Sequence, residues 1–101
     1  MAIYFVSRHS GARDWAARHA PEAVLRGHLD IDDVASGDIV LGTLPVPLAA
    51  AVTARGGRYF HLMFEVAEDE RGTELSAEQL EARGARLVEF KVTATGTDYS
   101  A

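Results

Sequence analysis

Apolar residues run along this chain in two rhythms, one of strands and one of helices. Ala2–Val6 (AIYFV) is an unbroken apolar stretch rich in β-branched and aromatic residues, the pattern of a strand buried on both faces of a parallel sheet. It stops at Ser7-Arg8-His9-Ser10-Gly11. Ala12–Ala20 then places Ala12, Trp15, Ala16 and Ala20 on one helical face, with Arg13, Asp14 and Arg18 outside it. Pro21 ends that helix. Val24–Leu29 reads as a weaker strand, followed by polar Asp30–Asp38. Asp38–Leu44 (DIVLGTL) is a short buried strand with Gly42 at its carboxyl end. Pro45 and Pro47 then suit a helix entry, where proline costs no intrahelical hydrogen bond. That helix runs through Leu48, Ala51, Val52 and Arg55 and closes at Gly56-Gly57. Arg58–Val66 (RYFHLMFEV) is the next strong strand, with the acidic loop Ala67–Glu74 after it.

Ser76 and Gln79 have the spacing of a capping box, and Leu75 with Leu80 are placed to staple across it. The short helix they start ends at Gly84. Leu87–Thr95 alternates, with Val88, Phe90, Val92 and Ala94 on one face, and predicts a half-exposed last strand. Gly96–Ala101 reads as a tail, so residues 1–95 are expected to form one domain. The order strand, helix, strand, strand, helix, strand, helix, strand implies an α/β, Rossmann-like fold: a mostly parallel sheet covered on both faces, with an antiparallel or edge last strand. Right-handed crossovers put the strand beginning at Asp38 beside the first one, with their helices on opposite faces. Ligands of open α/β sheets bind outside the carboxyl ends of strands at such a switch point. Ser7–Gly11 and Gly42-Thr43-Leu44 are expected to meet there.

Composition narrows the function classes. The chain has 101 residues, 48% hydrophobic and 25% charged, which excludes general disorder. No apolar run approaches the roughly 20 residues of a membrane span, and the opening MAIYFVSRHSGA lacks the basic flank of a secretory signal. With no Cys, the chain has no disulfide, thiolate metal site or cysteine nucleophile, and it fits a reducing cytoplasm. Residues 1–60 carry six acids and six bases, whereas residues 61–101 carry nine acids and four bases. That acidic second part argues against binding duplex nucleic acid. A small anion held in the neutral first part, near Arg8, Arg13 and Arg18, is compatible with it.

The loop Ser7–Gly11 offers two hydroxyls, a guanidinium, an imidazole and a glycine between a strand and a helix N-terminus. Free amides and the helix dipole favour anions at such a place. Arg8 can grip a phosphate through two nitrogens, and His9 can move a proton near neutral pH. A capped helix start, with Ser10 as cap and Gly11 for close packing, accounts for the same residues. The loop lacks both the nucleotide-triphosphate and the dinucleotide glycine patterns. In the second corner Gly42 lets a ligand approach the backbone and Thr43 supplies a hydroxyl; an ordinary turn explains them as well. His61 reads as a satisfied half-core histidine. The run His28-Leu29-Asp30 with Asp32 and Asp33 reads as a turn rather than a metal site.

Several strings together carry a resemblance. Y-F-V-S-R-H-x-G-A-x-x-W at Tyr4–Trp15, H-L-D at His28–Asp30, G-D-x-V-x-G-T-L-P-V at Gly37–Val46, L-A-A at Leu48–Ala50, R-G-x-x-Y-F-H-L at Arg55–Leu62 and R-G-x-E-L-S at Arg71–Ser76 resemble a small CRISPR-associated family. It is the sixteenth of the Csx accessory families of type III systems, and the likeness covers nearly the whole chain. Ser10 departs from it, standing where the family carries proline. The resemblance implies a fold related to the sensor domains that bind cyclic oligoadenylates. It also implies a ring nuclease that degrades cyclic tetra-adenylate and switches off an antiviral signal. On that expectation no cofactor or metal is required, since each linkage brings its own 2′-hydroxyl nucleophile. Arg8, His9 and Ser7 are then the catalytic candidates, and Ser10, Gly11, Gly42, Thr43 and Leu44 line the ligand. A non-catalytic module that only sequesters the ring is the alternative. A four-fold ring is too wide for one such pocket, so a homodimer is expected, with the last strand and the Trp15 region as candidate surfaces.

Overall fold

Alternation decides which way each strand side chain points. In β1 (Ile3–Val6), Phe5 and Val6 are both buried yet face opposite sides of the sheet. The computed structural model describes residues 1–66 and 74–100. The acidic loop expected at 67–74 therefore lies outside the described residues, apart from Glu74.

After β1 come α1 (Ser10–His19), β2 (Val24–Arg26), a 3-10 turn (Ile31–Asp33) and β3 (Ile39–Gly42). α2 (Val46–Ala54), β4 (Arg58–Met63), α3 (Ala77–Ala82) and β5 (Arg86–Phe90) complete the order. The five strands form one sheet in the order β2-β1-β3-β4-β5. β1 pairs in parallel with both β2 and β3, β3 with β4 in parallel, and β5 runs antiparallel against β4. The fold is thus a single small α/β domain compatible with the Rossmann-like class. The order turns back at β1, which lies between β2 and β3, and this is the expected switch point.

Two cores result. Phe5, Leu41 and Leu62 pack against Ala12, Trp15 and Ala16 of α1 and Ala77 and Leu80 of α3. On the other face Val6, Val40 and Tyr59 pack against Ala49 and Val52 of α2, with Leu29 and Val34 from the turn region. α1 and α3 therefore share one side of the sheet and α2 holds the other. The predicted capping box is present: Gln79 N–H donates to Ser76 Oγ (3.2 Å) and Ser76 N–H donates to Gln79 Oε1 (2.8 Å). Leu75 packs into the same core as Leu80, as the staple requires.

Several boundaries differ from expectation for physical reasons. The second strand stops at Arg26, because it lies at the sheet edge with Val24 half exposed, while Leu29 turns into the α2-side core. The last strand stops at Phe90, since Val92 leaves the sheet to pack beside α2, its N–H 3.4 Å from Thr53 Oγ1. α1 starts earlier than its apolar face suggests: Ser10 is its first residue and His9 its N-cap. Ser7 Oγ, not Ser10, accepts from the His9 N–H, at 3.1 Å. Of the two surfaces expected to support a dimer, Trp15 is buried and stacked on His19, whereas Phe90 is exposed.

Asp38, expected as the first residue of a strand, instead ties three segments together. Its Oδ1 accepts from Ala2 N–H and its Oδ2 from Ala35 N–H, each at 2.9 Å. These bonds, the Ala2 one foremost, hold the carboxyl pKa below its ordinary 3.8. A lowered native pKa gives stability that is fully present above the ordinary value and is lost as pH falls through the native one. Asp38→Asn keeps only one acceptor oxygen. Its urea midpoint should lie below that of the wild type at pH 7, and the gap should narrow steadily below the ordinary value of 3.8. Parallel urea titrations from pH 7 to pH 3 check this, and a constant gap would contradict it.

Candidate functional site

β1 and β3 are adjacent and in register, with Val6 opposite Gly42, so the residues that follow them emerge side by side at the carboxyl edge of the sheet. Ser7 and Thr43, one residue on, face the α1 side and line a cavity of about 340 Å³. His9 and Ala12 close it from the start of α1. Leu62 and Phe64 wall it from β4 and its extension, and Val66, Glu74, Leu75 and Leu80 complete it. The chamber thus has an apolar wall and one polar edge of two hydroxyls, an imidazole and a carboxylate.

α1 reaches this edge with its N-terminus. The first backbone bond across its start runs from Arg13 N–H to His9 O (3.1 Å), so the amides of Ser10, Gly11 and Ala12 precede any intrahelical partner. His9 lies with Nδ1 3.2 Å from Glu74 Oε1. Both side chains are more than half exposed, so this pair orients the ring more than it stabilises the fold. Farther along, Arg18–Glu78 (3.3 Å) and His19–Glu81 also join α1 to α3.

The two glycines act through close approach. A Cβ on Gly11 would lie 1.8 Å from the Leu75 carbonyl oxygen, so its absence lets the start of α1 press against the segment that enters α3. Gly42 has φ +136°, and a Cβ there would lie 2.4 Å from Val6 O. Its left-handed backbone turns the chain out of β3 and into the corner that carries Thr43.

That corner is held from the α2 side. Leu44 N–H donates to Tyr59 Oη (2.8 Å), Tyr59 O–H reaches Gly42 O (3.2 Å), and Tyr59 Oη lies 2.6 Å from His61 Nδ1. Tyr59 is buried, and its burial pushes the phenol pKa above the usual 10.0, partly offset by the Leu44 bond.

The structure brings three of the expected residues, Ser7, His9 and Thr43, to one chamber. Arg8 stands on the β2 side of the loop, with its Nε donating to Gly27 O at 3.2 Å. Ser10 is exposed, Gly11 is buried against the segment that enters α3, and Gly42 and Leu44 lie buried behind Thr43. Asp30 caps the 3-10 turn through Asp32 N–H (3.0 Å), as expected of an Asp-rich turn. Sequence reasoning missed Glu74, which it placed at the end of an acidic loop, and Phe64. Nothing local marks either, because both reach the chamber through tertiary packing. The Tyr59–His61 contact did have a signal, since residues two apart on a strand share a face.

The family model described as "Putative CRISPR-associated protein (Cas_VVA1548)" matches residues 4–93. The chain belongs to that family. The match takes in both sheet-edge corners, the helices α1, α2 and α3, and the residues named as lining the chamber. The description places Cas_VVA1548 among CRISPR-associated proteins and names no activity. No curated protein and no solved structure matches the chain.

Proposed function

We propose that this Cas_VVA1548 protein is a ring nuclease of type III CRISPR defence, which binds cyclic tetra-adenylate and opens it without a metal. The observation that carries the reading is the convergence of Ser7, His9 and Thr43 in one chamber at the switch point, beside the α1 N-terminus. The chamber suits one nucleotide unit, since about 340 Å³ is at the small end of ligand sites. Adenine packs on Phe64 and Leu62. Ribose and phosphate oxygens meet Ser7, Thr43 and the amides of Ser10 and Gly11. Arg8, on the β2 side of the loop, serves a phosphate of the ring outside the chamber. A ring of four units then spans two copies of the chain, each supplying one chamber.

The reaction needs little from the protein. The 2′-hydroxyl of one ribose attacks the adjacent phosphorus, the O2′–P bond forming as the P–O5′ bond breaks. The products are a 2′,3′-cyclic phosphate and a 5′-hydroxyl. The proton leaves O2′ and another reaches O5′; His9, its Nδ1 side facing Glu74, is the group for one of these transfers. Holding O2′ in line with the leaving oxygen supplies as much as roughly 7–11 kcal/mol in the best intramolecular cases. Helix amides stabilise the phosphorane charge.

One incubation tests the reading. Purified protein is mixed with cyclic tetra-adenylate and excess chelator, and the products are resolved. Linear di-adenylate ending in cyclic phosphate is the expected result. Intact ring retained by the protein would instead support the sequestering role. Free, intact ring would overturn both.

A further inference from the structure

The Tyr59–His61 contact is used by nothing above, yet it grips both sides of the residue that lines the chamber. A phenol hydroxyl has one proton and two lone pairs. Three groups surround Tyr59 Oη: Leu44 N–H at 2.8 Å, Gly42 O at 3.2 Å and His61 Nδ1 at 2.6 Å. All three are satisfied together in one arrangement. Leu44 N–H and His61 Nδ1–H donate to Oη, and the Tyr59 proton goes to Gly42 O.

The His61 ring is set for that task. Its residue lies opposite Gly42 in the β3–β4 ladder and opposite Val88 in the β4–β5 ladder. Tyr59 meets the ring edge-on at 5.8 Å between centroids, and Phe90 of β5 does so at 6.0 Å. Gly42, meanwhile, has the left-handed φ that glycine adopts freely, so its own backbone leaves the corner's direction to be fixed by its partners. The hydroxyl bonds the carbonyl before Thr43 and the amide after it, so it fixes the peptide planes that aim Thr43 into the chamber.

We propose that Tyr59 and His61 act as a positioning pair for the Thr43 corner, with His61 held as the Nδ1–H tautomer to donate to the Tyr59 hydroxyl. This rests on the reading that Thr43 holds an oxygen of the cyclic nucleotide. Neither side chain touches the ligand; both act through the backbone on either side of Thr43.

The experiment compares the wild type with Tyr59→Phe, His61→Leu and His61→Asn. Two readouts are used: steady-state cleavage of cyclic tetra-adenylate, and amide hydrogen exchange followed by NMR. Tyr59→Phe and His61→Leu should each lower kcat about tenfold, the change matching one ordinary buried hydrogen bond, with KM shifted far less. His61→Asn, whose amide N–H reaches the hydroxyl from the same place, should restore most of the rate. The double variant Tyr59→Phe/His61→Leu should be no worse than Tyr59→Phe alone, because the two act as one unit. Leu44 amide exchange should rise about tenfold or more in Tyr59→Phe, while the amides of β1 hold. Unchanged kcat in Tyr59→Phe, or His61→Asn as impaired as His61→Leu, would overturn the proposal. If the wild type leaves the ring intact, the functional reading fails on its own. The exchange readout then decides the pair: unaltered Leu44 protection in Tyr59→Phe removes it, and selective loss supports it.

Discussion

Replacing Gly11 with alanine should destabilise the protein by about 3 kcal/mol or more, the upper part of the range for forcing extra atoms into a packed interior. Two effects of opposite sign compete at this position. Gly11 is the second residue of α1, where alanine favours the helix over glycine by roughly 0.5–1 kcal/mol. Against that, the new Cβ would sit 1.8 Å from Leu75 O and 2.8 Å from Leu75 C. Both are backbone atoms, so no rotamer change relieves the clash and the α3 entry must move as a body. That entry carries the Ser76–Gln79 capping box and seats Ala77 and Leu80 against α1. Moving it also opens the chamber, which Leu75 and Leu80 line. At roughly 4–8 °C per kcal/mol for a domain of this size, the melting temperature should fall by about 12 °C or more. Gly84→Ala is the comparison: φ is +71° there, but nothing lies within 4 Å of the added carbon, so only backbone strain is felt. Thermal melts of the two variants beside the wild type settle it. A Gly11→Ala protein as stable as the wild type would mean that α1 and α3 do not meet as described.

The same contact explains how far the sequence could be read. Strand and helix positions were legible because burial on two faces leaves an unbroken apolar run, as in Ala2–Val6, and burial on one leaves a helical face, as in Ala12–Ala20. The parallel order followed from crossover handedness, and with it the meeting of Ser7 and Thr43, since strand neighbours end side by side. Boundaries were less legible where tertiary packing overrides local pattern. Val92 keeps the alternation of a strand residue yet leaves the sheet for α2. Side-chain direction was hidden in the first loop. Arg8 and His9 are neighbours of equal promise, but their opposite parity sends one to Gly27 and the other to Glu74. Glu74 itself lies 65 residues beyond His9, and no local rule joins them.

His9→Ala should slow cleavage of cyclic tetra-adenylate by roughly 10²–10⁴-fold, the usual contribution of a placed acid or base, with little change in KM. The fold should survive, because His9 makes no side-chain capping bond and is mostly exposed, and such replacements shift stability by about 0.5 kcal/mol at most. That separation makes the variant informative: a large rate loss without a melting shift locates the effect in the chemical step. Glu74→Gln sharpens it. Glu74 Oε1 lies 3.2 Å from Nδ1, which turns the other nitrogen, Nε2, away from the carboxylate. The uncharged amide orients the ring less firmly, so the rate should fall by about tenfold, in line with one weakened charge-assisted hydrogen bond. In the double variant the Glu74 change should add nothing, since it acts only through the imidazole. Single-turnover rates at saturating protein measure the chemical step apart from ring binding and product release. Should His9→Ala cleave at the full single-turnover rate, proton transfer by this histidine is removed from the mechanism. Catalysis would then rest on the in-line alignment enforced by Ser7, Thr43 and the start of α1.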